Sequence, residues 1–547
     1  MTTRTIERAA LLLRRDHTLG TLMDRLERVH GDRQLVTEAD DGLTLTYRQA
    51  AKRVRRWAGG IAARTEPGDV VVVATPNGYE QLLLCLAAAR AGTIPAPVND
   101  QMRREEVDHV VADSGAKLVL RSATEVDAGQ PMSTAHAVDP GDVAALFYTS
   151  GTTGSPKGAA LTHRALVGQA SSAAAWPTRL HRDEAVIALP VAHIMGFAVL
   201  IGLAYAGIPT FLLARFHPVR VLDAIEERRA TMFVGVPAMY RMLEEAHAAE
   251  RDLTSIRVWA SGADAMPPEL ADRFKRMGAT VTVPLVGALG QAIFAEGYGM
   301  VEVGGGVAAK VSPPFLGSGA GPFGNALGFA LPGYDMRVVD EDGEVLGGGQ
   351  VGELQVRGPG VLKAYWGDDA ATAAVLTDDG WLRTGDIAEI DEDGFIKITD
   401  RKKDIIVTAG GKNVAPQNLE NDLKSSKYIS QAMVVGDRQP YIAALLTLDP
   451  EAVPAWAEER GLPTDMESLA ASPEVRELVQ GIVDEVNADR SRYEQIKRFA
   501  ILPRDFTMED DELTPTLKLK RRVVAEHFGD ELDELYGGET LHQAAGA

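Results

Sequence analysis

The feature that most constrains this chain is the segment FYTSGTTGSPKG, which spans Phe147–Gly158. It follows the apolar run Val143–Leu146, which predicts a short buried strand. Glycines let the backbone approach a ligand closely, and successive amide groups in a tight turn form an anion-binding concavity. Lys157 adds a compact positive charge to the same turn. The segment therefore predicts a strand that ends in a polyphosphate-binding loop.

Two other interpretations of this loop are weaker. A Walker A motif requires G-x-x-x-x-G-K-[ST] at the start of a helix. Here Pro156 precedes the lysine and Gly158 follows it, so that motif is excluded. A mobile polar surface loop is the simpler alternative, because glycine and threonine are typical of such loops. The ordered string SGTTGSPKG is more specific than that composition and favours ligand binding.

The string SGTTGSPKG resembles the signature of the adenylate-forming superfamily, which includes acyl- and aryl-CoA synthetases, luciferases and the adenylation domains of peptide synthetases. The resemblance covers nearly the whole chain, because further family motifs recur in the same order. It implies an α/β multidomain fold, with a large N-terminal α/β body, a β-rich subdomain and a small mobile α+β C-terminal domain. The residues that it assigns to ATP or AMP in this loop are Thr149, Ser150, Gly151, Thr152, Thr153, Gly154 and Lys157.

Length and local pattern agree with a multidomain α/β chain. At 547 residues the chain is long for a single core. Strand and helix patterns alternate from Asp69 to about Val286, which argues for parallel βαβ units. Short strands and turns follow Leu331, and a small α+β unit follows the charged string DRKKD. The expected organisation is an N-terminal AMP-binding domain over 1–399, a hinge over 400–404 and a mobile C-terminal domain over 405–547.

Composition narrows the class of partner and the compartment. The formal net charge is −21, which argues against a nucleic-acid partner because nucleic-acid readers carry basic faces. The one cysteine, Cys85, excludes an intramolecular disulfide and favours a reducing cytosol. Residues 194–214 carry no charge, but their glycines predict a buried helix, a turn and a buried strand rather than a membrane span. We find no targeting peptide and expect a cytoplasmic protein with at most peripheral membrane contact.

The string GYGMVE, which ends at Glu302, resembles the Y-G-x-T-E motif of the family. The resemblance implies that Tyr298 and Gly299 contact the nucleotide and that Glu302 holds Mg²⁺, a hard ion that takes oxygen ligands. The family threonine is Val301 here, so a hydroxyl that helps to place the α-phosphate and the metal is missing. Loss of one such donor costs about 2.7–4 kcal/mol of transition-state stabilisation if nothing replaces it. A solvated surface carboxylate is the alternative interpretation of Glu302.

Three further strings resemble family motifs around the ribose, the hinge and the thiol tunnel. GWLRTGD ends at Asp386, which the resemblance assigns to the ribose, and a turn or capping aspartate is the alternative. In DRKKD, Arg401 would contact ribose or phosphate and Lys403 would be the pivot, whereas a solvated linker is the simpler interpretation. Gly410 and Gly411 resemble the hairpin that lines the tunnel for the pantetheine arm, where glycines permit close approach.

The C-terminal string LTPTLKLKRR resembles the catalytic-lysine motif of the family. The usual form has glycine before the lysine, where this chain has Leu517. Alignment on the two trailing arginines selects Lys518 over Lys520. A lysine suits this position because it can bridge the carboxylate and the α-phosphate as charge develops. A solvated basic patch is the alternative.

Two more strings complete the set of candidate residues. LPVAHIMG resembles the L-P-x-x-H-x-x-G motif, in which His193 would flank the acyl tunnel and the path of CoA. We group His193 with Lys518 and Glu302 as catalytic candidates, although a lone histidine is often structural. Gly262 and Ala263 resemble the turn of the adenine pocket.

The resemblance is strongest to bacterial long-chain fatty acyl-CoA ligases, through the string GKNVAP at 411–416 and a helical insertion near 451–487. It implies two half-reactions. A fatty acid attacks the α-phosphate of ATP and releases pyrophosphate, and the thiol of coenzyme A then attacks the acyl-adenylate. The implied small molecules are therefore a fatty acid, ATP, Mg²⁺ and coenzyme A.

Two alternatives stay open from the sequence. The first is a fatty acyl-AMP ligase that loads a carrier protein in trans, and CoA-dependent turnover would distinguish it. The second is a weakly active or non-catalytic binder of acyl groups or nucleotides, which Val301 alone supports and which pyrophosphate exchange would test. A homodimer is neither indicated nor excluded.

Overall fold

The computed structural model describes residues 3–13, 16–99, 102–149, 156–168, 170–176, 182–283, 287–317, 326–402, 404–409, 412–488, 490–514 and 518–537. The chain divides into two compact units. The first unit comprises Met1–Met336, Gln355–Arg383 and Gly394–Ile396. The second unit comprises Arg337–Leu354, Thr384–Asp393 and Lys397–Ala547.

The helices begin where the sequence supplies starting signals. Thr46 and Gln49 form a reciprocal capping box at the start of the third helix, and proline occupies the first turn of five others. The α-helices are α1 (Thr3–Leu13), α2 (Leu19–His30), α3 (Tyr47–Ala62), α4 (Tyr79–Arg90), α5 (Arg104–Ser114), α6 (Ile194–Ala206), α7 (Pro218–Arg228), α8 (Pro237–Glu245), α9 (Pro268–Met277), α10 (Asp369–Val375), α11 (Pro416–Leu423), α12 (Ala452–Glu458), α13 (Met466–Ala471), α14 (Pro473–Asn487), α15 (Arg521–His527) and α16 (Gly529–Leu535).

The strands are mostly short. The first sixteen are β1 (Gln34–Glu38), β2 (Thr44–Thr46), β3 (Val70–Val73), β4 (Ile94–Pro97), β5 (Leu118–Leu120), β6 (Val143–Tyr148), β7 (Gly158–Thr162), β8 (Ala185–Ile187), β9 (Thr210–Leu212), β10 (Met232–Gly235), β11 (Val258–Gly262), β12 (Val281–Val283), β13 (Gly287–Leu289), β14 (Ile293–Met300), β15 (Gly305–Ser312) and β16 (Phe329–Ala330). The others are β17 (Asp335–Val339), β18 (Val351–Arg357), β19 (Ala364–Tyr365), β20 (Leu382–Ile390), β21 (Ile396–Arg401), β22 (Ile406–Val407), β23 (Asn413–Val414), β24 (Ile429–Val435), β25 (Ile442–Leu448) and β26 (Ile496–Leu502).

The first unit is built around a nine-stranded sheet in the order β16-β15-β14-β11-β10-β8-β9-β1-β2. The strands from β14 to β1 in this order run parallel, whereas β15, β16 and β2 are antiparallel to their neighbours. One face packs on α8 and α9 through fully buried aromatic rings. Trp259 and Phe274 have ring centroids 5.1 Å apart, and Tyr240 and Phe274 are 5.0 Å apart. This core holds the parallel strands in place, so that their carboxyl ends lie together along one side of the sheet, here called the carboxyl edge.

Two smaller sheets complete the first unit. Strands β4-β3-β5 form a parallel sheet, and the run Val70–Val73 is buried along its whole length, as parallel strands usually are. Strands β19-β7-β6 form an antiparallel sheet. The predicted alternation of strands and helices is therefore confirmed, but its strands belong to separate sheets. The predicted helices Arg104–Ser114 and Pro268–Met277 have the observed bounds.

The second unit has a small sheet, β24-β25-β26, with a core on each side. Strand β25 is buried on both faces. Ala444 and Leu446 pack with residues of α11 and α14, whereas Leu445 packs with residues of α15 and α16. The hairpin β22-β23 belongs to the same unit, which also contains most residues of the four-stranded sheet β17-β18-β20-β21.

Some predictions differ from the structure in detail. The first two residues of the predicted hinge over 400–404 belong to β21, which extends to Arg401, and the hinge itself stays a prediction. The helices and strands before Asp69 were not predicted, although β1 and β2 form one edge of the large sheet. Residues 194–214 form α6, a turn at Gly207 and β9, as expected. In the part of the chain that the structure describes, every helix is too short or too polar to cross a bilayer.

Candidate active site

The predicted phosphate loop is the connection between the antiparallel strands β6 and β7. Tyr148 pairs with Gly158 in the sheet, and the Thr149 N–H donates to the carbonyl of Lys157 at 3.1 Å. The chain thus enters and leaves the loop at adjacent points. The following element is a strand rather than a helix, which agrees with the exclusion of a Walker A motif. The other predicted loop ligands, Ser150, Gly151, Thr152, Thr153 and Gly154, lie outside the described residues.

Tyr148 supports the base of this loop. Its hydroxyl donates to Asp113 at 2.7 Å, and a Cβ built on Gly158 would lie 3.0 Å from its ring. Burial and the neighbouring Asp113 carboxylate raise the pKa of Tyr148, so its hydroxyl stays protonated and keeps donating. A side chain at Gly158 would crowd this ring. Packing against the Tyr148 ring therefore favours glycine at the end of the motif.

Lys157 lies against the strand β19. Its ammonium nitrogen is 5.6 Å from the ring centroid of Tyr365 and 3.7 Å from a carboxylate oxygen of Asp368. Tyr365 reaches this position because β19 pairs with β7, where Tyr365 is opposite Ala159. The Lys157 side chain is half exposed, so its charge remains available to an anion that approaches from solvent.

Glu302 contacts the hydroxyl group of the same residue, Tyr365. The Tyr365 hydroxyl donates to Glu302 Oε1 at 2.8 Å, and the Leu362 N–H donates to the Glu302 carbonyl at 2.7 Å. Burial, followed by the Glu302 charge, raises the pKa of Tyr365, so the donor stays protonated. Tyr365 thus joins the predicted phosphate lysine to the predicted metal ligand. No local sequence signal marks Tyr365, because only the pairing of β19 with β7 brings it to the site.

The carboxylate of Glu302 fits a magnesium ion that is shared with phosphate. Among the residues that the structure describes, no group of three or more histidine, cysteine, aspartate or glutamate side chains could enclose a metal ion. Magnesium usually binds through one or two carboxylates together with substrate phosphates and water. A single carboxylate near the phosphate-loop lysine matches that manner of binding.

The residues predicted for the nucleotide base share the carboxyl edge of the large sheet. Gly262 ends β11 and is the register partner of Gly297 on β14, which leads directly to Tyr298 and Gly299. A Cβ on Gly299 would lie 1.8 Å from the carbonyl oxygen of Gly305, so only glycine fits there. Ala263 has a φ of 69°, which turns the chain sharply away from the strand. Ligands of open α/β sheets bind outside such an edge.

His193 is the residue that caps α6, which follows β8 at the same edge. Its Nδ1 accepts the N–H of Met195 at 3.2 Å, which places the proton of the neutral ring on Nε2. Met195 in turn lies close to Gly262, since a Cβ on Gly262 would be 3.4 Å from its methyl carbon. The structure thus gives His193 a capping role, and the predicted tunnel role stays a prediction.

Asp386 and Arg401 lie on the neighbouring strands β20 and β21 of the second unit. Arg401 Nε is 3.5 Å from Asp386 Oδ1, and the Asp386 side chain is 7% exposed. The Thr384 hydroxyl donates to the Leu354 carbonyl and accepts the Asp386 N–H, which fixes the strand locally. These two predicted ligands therefore lie together. Lys403, Gly410 and Gly411 lie outside the described residues.

Lys518 lies in a turn that Thr514 closes. The Thr514 N–H donates to the Lys518 carbonyl at 2.8 Å, and the Lys518 N–H donates to the Thr514 hydroxyl at 3.0 Å. The competing candidate, Lys520, forms an ion pair with Asp511. The choice of Lys518 over Lys520 stays a prediction.

Comparison with known proteins identifies the group to which these features correspond. Residues 23–366 match the family described as AMP-binding enzyme, and residues 403–540 match the AMP-binding enzyme C-terminal domain. The long-chain-fatty-acid–CoA ligase FadD15 of Mycobacterium bovis is 32% identical over 90% of this chain and 92% of its own length.

Other relatives are named for different activities. The feruloyl-CoA synthase of an Amycolatopsis species is 34% identical over 73% of this chain and 82% of its own. The fatty acid–[acyl-carrier-protein] ligase ScoC of Streptomyces coeruleorubidus is 31% identical over 72% of this chain and 79% of its own. Among solved structures, the ATP-bound RpMatB-BxBclM chimera B1 superimposes with a TM-score of 0.76 at 25% identity, covering 94% of this chain and 99% of that one.

Proposed function

This chain belongs to the AMP-binding enzyme family, and on that premise we propose that it is a long-chain fatty acid–CoA ligase. It is an AMP-forming acyl-CoA synthetase, an acid–thiol ligase that uses ATP, Mg²⁺ and coenzyme A. The observation that carries the proposal is the contact of Tyr365 with both Lys157 and Glu302. Long-chain preference is supported by the similarity to FadD15 along nearly the whole chain.

In the proposed first half-reaction, the protein positions ATP and neutralises its charge, which is what phosphoryl-type chemistry chiefly requires. Thr149, Lys157 and the loop between them hold the phosphates. Asp386 accepts hydrogen bonds from the ribose, and the turn formed by Gly262 and Ala263, with Tyr298, receives the adenine. The fatty acid carboxylate then attacks the α-phosphate, and pyrophosphate leaves.

Glu302 and Lys518 have separate proposed roles in this step. Glu302 would hold Mg²⁺, which when bound supplies positive charge to the phosphate oxygens. Tyr365 keeps the Glu302 carboxylate oriented through its hydroxyl. Lys518 supplies the second cation, directed at the α-phosphate and the attacking carboxylate as charge develops between them.

In the proposed second half-reaction, the thiol of coenzyme A attacks the acyl-adenylate and AMP leaves. Gly410 and Gly411 would line the path of the pantetheine arm, with Lys403 as the pivot between the domains that we place at 1–399 and 405–547. His193 would flank the acyl tunnel, where its capping contact with α6 fixes the ring. We propose that this reaction takes place in the cytoplasm, with at most peripheral contact to a membrane that supplies the fatty acid.

A substrate panel tests the proposal. The purified full chain is given ATP, Mg²⁺ and CoA with acids from about six to about twenty carbons, which bracket the depths of ordinary pockets, and with ferulic acid. We expect AMP and acyl-CoA to form in equal amounts, with the highest kcat/KM for long chains. Preference for ferulic acid would replace the substrate class, as the similarity to a feruloyl-CoA synthase allows.

The panel also decides between CoA and a carrier protein. The similarity to ScoC, which is named as a fatty acid–[acyl-carrier-protein] ligase, supports a carrier protein as the alternative acceptor. Acyl-adenylate that accumulates with CoA but is consumed by an acyl carrier protein would establish that alternative. Absence of fatty-acid-dependent pyrophosphate exchange with every acid would overturn both and leave a non-catalytic binder.

A further inference from the structure

We propose that Glu512 is a positioning residue that holds the turn of Lys518, an inference that rests on the adenylation role proposed for that lysine. The Glu512 side chain is completely buried in the second unit, although it carries a charge. A buried carboxylate is stable only when its oxygens are fully hydrogen-bonded and its charge is paired. The partners of Glu512 therefore show what this residue fastens together.

Four donors converge on the Glu512 carboxylate. Arg504 donates from both terminal nitrogens, at 2.8 Å to Oε2 and 2.7 Å to Oε1. His527 Nδ1 lies 2.9 Å from Oε1, and the Thr507 N–H donates to Oε2 at 2.9 Å. Burial alone would raise the pKa of Glu512, but the hydrogen bonds from Arg504 and His527 outweigh it and lower the pKa to about 2. The carboxylate is therefore charged at every pH at which the enzyme would work.

The backbone of Glu512 forms the base of the turn that carries Lys518. Its N–H donates to the Thr507 carbonyl at 2.9 Å, and its carbonyl accepts the N–H of Lys520 at 2.8 Å. Leu513 and Leu519 face each other as a single β-bridge. Beyond them, Thr514 and Lys518 exchange the two hydrogen bonds described above. Lys518 is thus two residues from a backbone contact that Glu512 makes directly.

The same carboxylate ties this turn to two other elements. Arg504 follows β26, and its guanidinium also lies 5.1 Å from the ring centroid of Phe528. His527 is the last residue of α15, the helix that begins directly after the turn. Glu512 therefore joins the preceding segment, the turn and the following helix. We name these three side chains, Glu512, Arg504 and His527, the clasp.

The clasp would hold the backbone of Lys518 in the position that the proposed chemistry requires. Lysine has a flexible side chain, so the position of its ammonium group depends on how firmly its backbone is held. A displacement of about 1 Å at a reacting group can lower a rate by about a hundredfold. The buried Glu512 carboxylate adds a restraint on the backbone that leads to Lys518, through its bonds to Arg504, His527 and the Thr507 N–H.

The test compares the two half-reactions in the full chain. Glu512→Gln keeps the size of the side chain but removes its charge, and Arg504→Lys keeps the charge but loses the two-pronged geometry. Adenylation, followed as pyrophosphate exchange, should fall about 10- to 100-fold in Glu512→Gln and less in Arg504→Lys. Formation of acyl-CoA from synthetic acyl-adenylate should change by less than about threefold, because that step does not use Lys518 in the proposed mechanism.

Thr447→Val is the matched control. Thr447 is fully buried in β25 and bonds Asp505 and Gln431, so the substitution removes a buried polar contact of the same unit without touching the turn. It should lower stability while both half-reactions stay near the wild-type rates. Equal losses in the two half-reactions of Glu512→Gln would overturn the positioning role and indicate a general structural one.

Hydrogen exchange separates a failure of the clasp from a failure of the proposed function. In Glu512→Gln, but not in Thr447→Val, the amides of Thr514, Lys518 and Lys520 should exchange at least about tenfold faster. Unchanged exchange at these amides would overturn the clasp whether or not the chain activates fatty acids. If the wild-type chain catalyses no pyrophosphate exchange, faster amide exchange in Glu512→Gln would retain the clasp as a structural feature. That outcome would overturn the role of the clasp in adenylation.

Discussion

Lys157 and Lys518 are both proposed to face phosphate, but the two units hold them in different ways. Lys157 directly precedes β7, which is paired with β6 along its length. The charged neighbour of Lys157, Asp368, is partly exposed, and its Oδ2 lies 3.7 Å from the Lys157 nitrogen. Lys518 lies beside the β-bridge of Leu513 and Leu519, and Glu512, the carboxylate that we propose secures it, is fully buried. In the first unit the backbone determines the geometry, whereas in the second a charged cluster does.

This difference indicates where each region is vulnerable. Exposed ion pairs contribute about 0–1 kcal/mol, because water and salt screen them. A buried charge that loses its partner is far more costly, since it remains desolvated. Changes around Lys157 should therefore affect chemistry with little effect on folding. Changes around Lys518 should affect both the chemistry and the folding.

The largest expected contrast is in stability. Removal of the guanidinium in Arg504→Ala leaves the buried Glu512 carboxylate without its bidentate cationic partner and should cost about 3–5 kcal/mol of unfolding free energy. Asp368→Ala removes a partly exposed carboxylate from the other region and should cost about 1 kcal/mol or less beyond the loss of its helix-capping bond to Ala371. Urea unfolding of the full chain measures both. Similar losses in the two variants would remove the distinction between the regions.

Acid should expose the same contrast in the unsubstituted protein. The pKa of Glu512 is lowered to about 2 from an ordinary value of 4.5. A carboxylate with a lowered folded-state pKa contributes its stabilisation above the ordinary pKa and loses it as the pH falls towards the folded-state value. Unfolding free energy should therefore decline between about pH 4.5 and pH 2, and Glu512→Gln should lack this part of the decline. Parallel profiles for the two proteins would contradict the assignment.

The lysines themselves should differ in which half-reaction they support. Lys518→Ala should lower adenylation by about 10²–10³-fold, the usual cost of removing a preorganised donor, while thioester formation from acyl-adenylate is less affected. Lys157→Ala should lower adenylation by a smaller factor and raise KM for ATP, because the hairpin backbone remains in place. Pyrophosphate exchange and single-turnover thioester assays provide the measurements. Equal loss of both half-reactions in Lys518→Ala would contradict its role.

Tyr365→Phe sharpens the comparison within the first unit. The substitution keeps the ring beside Lys157 but removes the hydroxyl that bonds Glu302. We expect about a tenfold loss of adenylation with a higher requirement for Mg²⁺, because the carboxylate loses its orientation. Titration of activity with Mg²⁺ at saturating ATP measures both effects. A wild-type requirement for Mg²⁺ in this variant would mean that Glu302 is oriented by other contacts.

Val301→Thr is expected to give the smallest effect. It restores the hydroxyl that the family motif has beside Glu302, and it should raise kcat for adenylation by a few-fold. The gain should be smaller than the full value of one donor, since Tyr365 already orients the neighbouring carboxylate. An unchanged or lower rate would show that the site has compensated for valine at this position.

The sequence predicted the parts of the structure that local patterns determine. The apolar run before the loop is β6, and the helix over Arg104–Ser114 has the predicted bounds because its periodicity and its terminal glycine are both local signals. These features depend on residues that are close together in the chain.

The sequence could not predict features that depend on distant contacts. Tyr365 meets Glu302, 63 residues away, only because β19 pairs with β7. Strand β1 carries no recognised motif, yet it pairs with β9 at the far side of the large sheet. Glu512 directly precedes the catalytic-lysine motif, but its contacts with Arg504 and His527 form only when the segments on both sides fold around it.

The pairing of β19 with β7 also restricts how enzymes of this type can be recombined. The Lys363 N–H donates to the Ala160 carbonyl, and the Trp366 N–H donates to the Gly158 carbonyl. The segment around β19 is therefore hydrogen-bonded to β7, the strand that follows the phosphate loop. If only the loop and its two strands, β6 and β7, were transplanted, the donor's β7 would have to pair with the recipient's β19, and the two strands would not match. Modular exchange should therefore move residues 363–368 together with 143–162, although more than two hundred positions separate them in the gene product.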